Sequence, residues 1–302
     1  MAGMLNVSRA SVWNALRLLD EFGVTVYKVR GRGYRLPEPI DFLEPRRVND
    51  VLGEKAGMFE LEVHEVVAST NSLLMERVSG SARRGCCIAA EMQVQGRGRR
   101  GRLWHANLGE GLTFSVLWRF NQGAGGLAGL SLAVGVGLVR GLRAAGLEGV
   151  SLKWPNDVLC QYHKLAGILI EVQGDMLGPS AAVIGVGLNV KLSDSTRSRI
   201  DQPVTDVYAV TGRRPDRNAL LGSLLAHLAD VMEHFEASGF SGLREEWQDC
   251  HAYHGRPVRV MLPGGECREG RVSGVSDDGS LLLETASGQG RFTSGEISLR
   301  PR

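Results

Sequence analysis

Glu91-Met92-Gln93-Val94-Gln95-Gly96-Arg97-Gly98-Arg99-Arg100-Gly101-Arg102 is the stretch on which the reading of this chain turns, with Trp104 close behind it. Four arginines and three glycines fill the seven positions from Gly96 to Arg102, directly after a run with the texture of a buried strand. Glycine admits φ > 0 and lets the main chain approach a ligand closely. Arginine presents a planar fork of donors that matches carboxylate and phosphate oxygens. A loop of this composition cannot pack a core of its own, so it is expected to stay mobile until an anion organises it. Two readings stay open at this point: a loop that grips a small anionic ligand, and a solvated basic tract that binds nucleic acid.

The totals narrow the choice. A chain of 302 residues has room for about two domains and a small third. A net charge of +2 says nothing strong about nucleic acid, and any basic patch is local. Only five lysines occur (Lys28, Lys55, Lys153, Lys164 and Lys191), so where arginine is the default cation each lysine invites a reason. The five cysteines include the adjacent Cys86 and Cys87 and no pair at CxxC spacing, which suits reduced thiols and a cytoplasmic location. No secretory pattern opens the chain. The longest apolar run, Leu127 to Val139, is broken by glycines and stops at Arg140, too short to span a bilayer. A soluble protein is expected.

At the N-terminus, Ser8 suits the N-cap of a helix running to Phe22, with Val12, Leu16, Leu19 and Phe22 on one face. Val24 to Val29 alternates like a strand, Arg30-Gly31-Arg32-Gly33 makes a turn, and Tyr34 to Leu36 returns. A helix followed by a basic-tipped hairpin has the shape of a winged helix-turn-helix. Its helix would offer Ser8, Arg9 and Asn14 to a major groove, and its wing Arg30 and Arg32 to phosphates. The bland alternative is a helix and hairpin packed on the next domain. Seven residues precede Ser8, fewer than a first helix needs, so the expectation is a partial domain or a true start upstream of Met1. Pro37, Pro39 and Pro45 form a stiff exit.

A mixed pattern follows. A short helix near Arg46–Lys55 leads to a strand from Phe59 to Val67, and Ser69-Thr70-Asn71 opens the next helix, where Ser69 or Thr70 serves as a cap or meets a ligand. Leu112 to Trp118 reads as a strand and Leu127–Ala145 as a long apolar helix. In Lys153-Trp154-Pro155-Asn156-Asp157, the proline makes the segment an edge, a bulge or a bend, where Asn156 and Asp157 could meet a nucleotide, magnesium or their own backbone. Gln161-Tyr162-His163 turns into Lys164-Leu165-Ala166-Gly167-Ile168-Leu169-Ile170-Glu171, a strand that opens on one of the rare lysines. Ala181 to Val190 carries Gly185-Val186-Gly187-Leu188-Asn189, where two glycines suit a ligand's flat face or relieve crowding against a helix. Helical patterns near 217–238 and 240–252 precede short strands at Pro257–Leu262, Glu269–Val275, Leu281–Thr285 and Gly290–Phe292, with turns at Pro263-Gly264-Gly265 and Asp277-Asp278-Gly279. That texture is a small β-barrel. His251 and His254 lack a companion set of cysteines or carboxylates and are not read as metal ligands.

In order and spacing, Ser69-Thr70-Asn71, the Gly96–Arg102 run, Lys153-Trp154-Pro155-Asn156-Asp157, Lys164 to Leu169 and Gly185 to Asn189 resemble the bifunctional biotin–protein ligases that double as biotin operon repressors. The likeness extends to Pro37-Glu38-Pro39 and to the ending Gly295-Glu296-Ile297-Ser298-Leu299. It implies an α+β fold: a class II synthetase-like mixed sheet with helices over 46–252, a partial winged helix-turn-helix and linker over 1–45, and an SH3-like β-barrel over 253–302. It implies ATP-dependent formation of biotinyl-5′-adenylate and transfer of biotin to a lysine of a biotin carboxyl carrier domain. ATP and biotin are then substrates with Mg²⁺, and a homodimer and operator DNA are further expected partners.

Carried over by position, the resemblance gives Ser69, Thr70, Asn71 and Gln93 to biotin's ureido ring or chain, and Arg97, Gly98 and Arg99 to the loop over biotin and its adenylate. Arg100 and Arg102 go to phosphates and Trp104 to the adenine; Lys164, with Arg99, is the catalytic cation; Asn156, Asp157, Gly187 and Asn189 lie on the nucleotide side, with Asp157 as magnesium ligand. The chain departs from the family at His105-Ala106-Asn107, where a Ser-Pro is common, so a different local loop shape is expected. Two alternatives come with the resemblance: a repressor with vestigial ligase activity, and a lipoate–protein ligase on the same fold. The intact arginine loop and Lys164 favour an active enzyme, and the density of Arg and Gly favours biotin.

Overall fold

The computed structural model describes residues 1–80, 82–262, 266–293 and 298–301. The expected turn at Pro263-Gly264-Gly265 and the Gly295-Glu296-Ile297 part of the ending lie outside the described residues.

Helix α1 (Arg9–Glu21) begins at Ser8, whose side chain accepts from the Ser11 amide. Val12, Leu16, Leu19 and Phe22 form its half-buried face, as their spacing predicts. A hairpin of β1 (Tyr27–Val29) and β2 (Gly33–Arg35) follows, shorter at its start than the alternation from Val24 suggested. The proline-rich exit is firmly tied. Glu38 bridges Lys191 and Arg214, Asp41 accepts from the Arg217 amide at 3.0 Å, and the Leu43 amide donates to Glu91 Oε1 at 2.6 Å.

The central unit comprises α2 (Pro45–Leu52), β3 (Glu60–Val67), α3 (Thr70–Val78), β4 (Cys86–Gln93), β5 (Gly111–Phe120), α4 (Leu130–Ala144), β6 (Val150–Lys153), β7 (Asp157–Cys160), β8 (His163–Gly174), β9 (Ser180–Asn189), α5 (Asp194–Arg197), α6 (Val207–Thr211), α7 (Arg217–Ser238) and α8 (Arg244–Asp249). Its seven strands run in the order β3-β4-β5-β9-β8-β7-β6; β3 and β4 are parallel and the other neighbours antiparallel. Of the edge, bulge or bend read at Pro155, the structure has a bend at the sheet edge: β6 is the last strand and turns through a cis Trp154–Pro155 bond into β7. Helix α4 starts three residues later than its apolar run, where Gly129 takes φ +80° after a 3₁₀ turn.

Alternation along the strands explains where the site lies. On β5 and β9, Leu112, Phe114, Val116, Trp118, Ala182, Ile184, Val186 and Leu188 join the main core beneath α4 and α7. An alanine at Gly141 would bring its Cβ to 3.0 Å from Leu224 Cα, so glycine is what lets α4 and α7 approach this closely. On the opposite face Leu117, Ala181 and Val183 pack under the single helix α3. Toward the start of α3 that face carries Thr113, Ser115, Gly185, Gly187 and Asn189, small or polar residues, with Thr70 and Asn71 of the first helical turn set on Ser115 and Gly185. Gly185, Gly187 and Asn189 belong to the floor of a cavity.

The C-terminal strands β10 (Pro257–Met261), β11 (Cys267–Val275), β12 (Leu281–Thr285), β13 (Gly288–Phe292) and β14 (Ser298–Pro301) form a small antiparallel sheet in the order β13-β12-β11-β10-β14, where the small β-unit was expected. It docks on the central unit through Trp154 Nε1, which donates to Gly279 O at 2.9 Å, and shares its core through Val258, Val272 and Leu281.

Candidate active site

Register sets the geometry of the floor. Gly167 lies opposite Gly187 and Leu169 opposite Gly185 on the β8–β9 ladder. Two residues along a strand advance about 6.6 Å, so the two pairs mark two levels of one cavity. At the first level the indole of Trp104 rests on the glycines: a Cβ at Gly187 would run into the ring, and one at Gly167 would stand 3.3 Å from Trp104 Cζ3. The flat face anticipated over these glycines is therefore, in this structure, a tryptophan of the chain itself. Its Nε1 is buried and has no acceptor among the described residues.

The second level is polar. Ser69 both caps α3, accepting from the Ser72 amide at 3.4 Å, and lines the cavity, so cap and site are one arrangement. The Thr70 amide and hydroxyl donate to Gln93 Oε1 at 2.7 and 3.1 Å, which tethers the start of α3 to the end of β4. Asn71 Nδ2 donates to Glu171 Oε2 at 2.9 Å and to Leu169 O at 3.2 Å. The Ser115 hydroxyl stands 2.6 Å from Asn71 Oδ1 and 2.7 Å from Thr70 Oγ1, with one proton for the two. An alanine at Gly185 would collide with Asn71 Oδ1, so that glycine makes room for the amide.

Cations gather at the first level. Lys164 Nζ lies 2.7 Å from Asp157 Oδ1, and Lys153 Nζ 3.9 Å from Asp157 Oδ2. The Lys164 backbone is fixed by the segment 203–205 and by the end of β9: its amide donates to Pro203 O, its carbonyl accepts from the Thr205 amide, and Asn189 Nδ2 donates to Lys164 O and Thr205 O. Asn189 is thus a strut for the lysine strand as well as a cavity residue. The arginine loop folds as a narrow hairpin, with Arg97 bridged to Leu103 and the Gly98 amide donating to Arg102 O at 2.7 Å. Arg99 reaches inward to Asn156 Oδ1 at 3.4 Å. Burial first, then the charges of Arg100 and Arg102, hold its pKa below the usual arginine value, so an incoming anion relieves an unfavourable concentration of charge.

Ser69, Thr70, Asn71, Gln93, Arg97, Gly98, Arg99, Arg102, Trp104, Asn156, Asp157, Lys164, Gly187 and Asn189 all line this one cavity of about 360 Å³, a volume suited to a small ligand. Arg100 does not: it stands exposed at the loop tip with φ 58°. Ser8, Arg9, Asn14, Arg30 and Arg32 are exposed on the N-terminal unit, with Ser8 engaged as a cap. Sequence reasoning missed Ser115 and Glu171, which act across the sheet, and the wall formed by Arg199, Ile200, Asp201 and Gln202. It also missed His105, whose pKa is lowered by burial and by Arg199. The departure at 105–107 has a structural use: Asn107 donates to Glu110 and Thr196 and packs against Gly23 at the end of α1.

Comparison with known proteins agrees with this layout. The model of the biotin/lipoate A/B protein ligase family matches residues 63–189, that of the biotin protein ligase C terminal domain residues 253–300, and an HTH domain residues 1–35. The chain is 36% identical over 296 residues to the bifunctional ligase/repressor BirA of Escherichia coli, covering 98% of this chain and 90% of that one. It is 33% identical over 269 residues to the biotin–[acetyl-CoA-carboxylase] ligase of Mycobacterium tuberculosis, covering 87% and 97%. The biotin protein ligase of Aquifex aeolicus in complex with biotin and ATP superposes with a TM-score of 0.69 at 29% identity, over 80% of this chain and 99% of that one.

Proposed function

This chain belongs to the biotin protein ligase family, and from that premise we infer how its cavity works. The protein is an ATP-dependent biotin–protein ligase. It joins the biotin carboxylate to the α-phosphate of ATP, releasing pyrophosphate, and passes the biotinyl group from the adenylate to a protein lysine amine, releasing AMP. The observation that carries the assignment of roles is the two-level cavity: a polar wall of Ser69, Thr70, Asn71 and Gln93 lies one ladder step from Lys164, Arg99 and Asp157.

A ureido ring has both N–H donors and a carbonyl acceptor, and the polar wall supplies partners for both. Biotin's chain then runs from that wall toward the first level, beside the Trp104 indole that covers Gly167 and Gly187, and brings its carboxylate to Lys164. Carboxylate and triphosphate repel each other, and Lys164 and Arg99 offset that repulsion where charge develops in the transition state. Catalysis is positioning and charge stabilisation; no protein nucleophile is needed. The hairpin of Arg97–Arg102 shields the adenylate from water, with Arg102 toward the phosphates and Trp104 and Gly187 toward the base. Mg²⁺ would come with ATP and would neutralise phosphate charge; Asp157, whose carboxylate faces Lys164 and Lys153, is the residue that would hold it.

The polar wall also supports biotin over lipoate. The dithiolane ring of lipoate offers no N–H or carbonyl, so it would make none of the further hydrogen bonds open to the second lone pair of Asn71 Oδ1 and to the Gln93 amide nitrogen, which discriminates against it. The acceptor is a lysine of a biotin carboxyl carrier domain. The exposed Ser8, Arg9, Asn14, Arg30 and Arg32 support operator DNA as a second partner, with a homodimer as the binding form and the cytoplasm as the location. We propose structural units of 1–45, 46–252 and 253–302; the start of α2 at Pro45 and of β10 at Pro257, each near a bound, supports them. Biotin-dependent exchange of pyrophosphate into ATP tests the reading: exchange that needs biotin supports it, and exchange absent with biotin but present with lipoate overturns it.

A further inference from the structure

A side chain outside the cavity's lining touches both its polar wall and the loop over it. Glu171 sits on β8, the strand that carries Lys164, and is held in register opposite Val183. One of its oxygens, Oε2, accepts from Arg97 at 2.9 Å and from Asn71 Nδ2 at 2.9 Å. Arg97 belongs to the loop over the cavity and Asn71 to the cavity wall. A single carboxylate oxygen therefore ties the position of the loop to the orientation of a wall amide.

The orientation matters because the two ends of an amide have nearly the same shape. What fixes Asn71 is the chemistry around it: a carboxylate and the Leu169 carbonyl at the nitrogen, and the Ser115 hydroxyl at the oxygen. Both N–H groups are thereby used, and Oδ1 keeps a lone pair to present to a ligand. Removing the carboxylate leaves one carbonyl to distinguish the ends, since a hydroxyl serves as donor or acceptor equally well. It also takes from Arg97 its ion-pair partner at this edge of the loop.

The pair contributes little to the fold. Arg97 is 42% and Glu171 28% exposed, and ion pairs this open stabilise weakly. Their effect falls on the loop and on Asn71.

We propose that Glu171 is a positioning residue that couples closure of the arginine loop to the amide orientation of Asn71, and so sets how tightly the polar ring of the substrate is held. This rests on the reading of the cavity as the biotin site, and it assigns Glu171 no contact with the reacting atoms.

Two readouts on the full chain test it, using Glu171→Gln, Arg97→Ala and the double variant. The first needs no substrate. Trypsin cleaves after arginine, and the loop holds Arg97, Arg99, Arg100 and Arg102. Glu171→Gln should speed cleavage within the loop of the ligand-free protein about fivefold, and should add little once Arg97 is alanine. The second is the biotin KM in adenylate formation, expected to rise about fivefold while kcat at saturating biotin stays near wild type. Glu171→Asp, which keeps the charge, should fall between the two. Circular dichroism melts confirm that each variant is folded. Wild-type cleavage and wild-type KM in a folded Glu171→Gln protein would overturn the proposal. If the wild-type chain does not adenylate biotin, the substrate reading fails by itself, and the cleavage series still decides the coupling.

Discussion

Replacing Lys164 with alanine probes the chemistry most sharply. The ammonium group lies 2.7 Å from Asp157 Oδ1, and its side chain is 15% exposed. An anion about 4 Å from a unit charge gains about 4 kcal/mol at an effective dielectric constant of about 20. That energy is realised when the carboxylate and phosphate meet, and it corresponds to a loss of about 10³ in the rate of adenylate formation. Biotin held by the polar wall loses much less, so its dissociation constant should change by less than about tenfold. The substitution also strips Asp157 of its near partner and leaves Lys153 at 3.9 Å, at a cost of about 1–3 kcal/mol in stability. Adding Asp157→Asn should return stability without returning adenylation, which separates the two roles of the lysine. Pyrophosphate exchange, equilibrium dialysis with labelled biotin and a urea melt give the three quantities. Exchange within about threefold of wild type in the Lys164→Ala protein would refute the role assigned to this residue.

Other perturbations follow from the same geometry. Gly185→Ala should push Asn71 off its seat and raise the biotin KM at least about tenfold with little change in the melting midpoint, read from steady-state kinetics and a thermal scan. Glu91→Gln removes the charge partner of Arg217 in a pair whose side chains are 4% and 2% exposed, and should cost about 3–5 kcal/mol in a denaturant titration. His251 is buried beside Trp247 and Tyr253, and burial drops its pKa from 6.5 to about 3. The unfolded chain therefore binds a proton that the native state refuses in that window, and stability falls as pH falls below 6.5, by about 1.4 kcal/mol per pH unit at most. His251→Phe should flatten the difference between urea midpoints at pH 7 and pH 5.

Residues whose role is local could be read from the sequence. Ser8 and Ser69 stand where a helix needs an N-cap, Pro155 marked an edge, a bulge or a bend, and the opening of β8 on a rare lysine marked Lys164. Residues whose role depends on register could not. Ser115 meets Asn71 from 44 positions away, and Glu171 meets it from 100. Glu91 looked like the first residue of a basic loop, yet it is the buried partner of Arg217 and anchors the linker at Leu43. Gly187 shows the limit most clearly. Its sequence context suited a ligand's flat face or relief of crowding against a helix, and only the folded chain puts the Trp104 indole there.

The stretch 91–102 thus divides at Gln93, with an anchored strand end before it and a hairpin that can close over an anion after it. Whether that cavity makes and delivers a biotinyl adenylate is answered by one measurement. The full chain is mixed with Mg-ATP, equal concentrations of biotin and lipoate, and a biotin carboxyl carrier domain, and the carrier is weighed intact. The account predicts a mass gain of one biotinyl group on a single lysine, dependent on ATP; an unmodified carrier, or one carrying a lipoyl group, would contradict it.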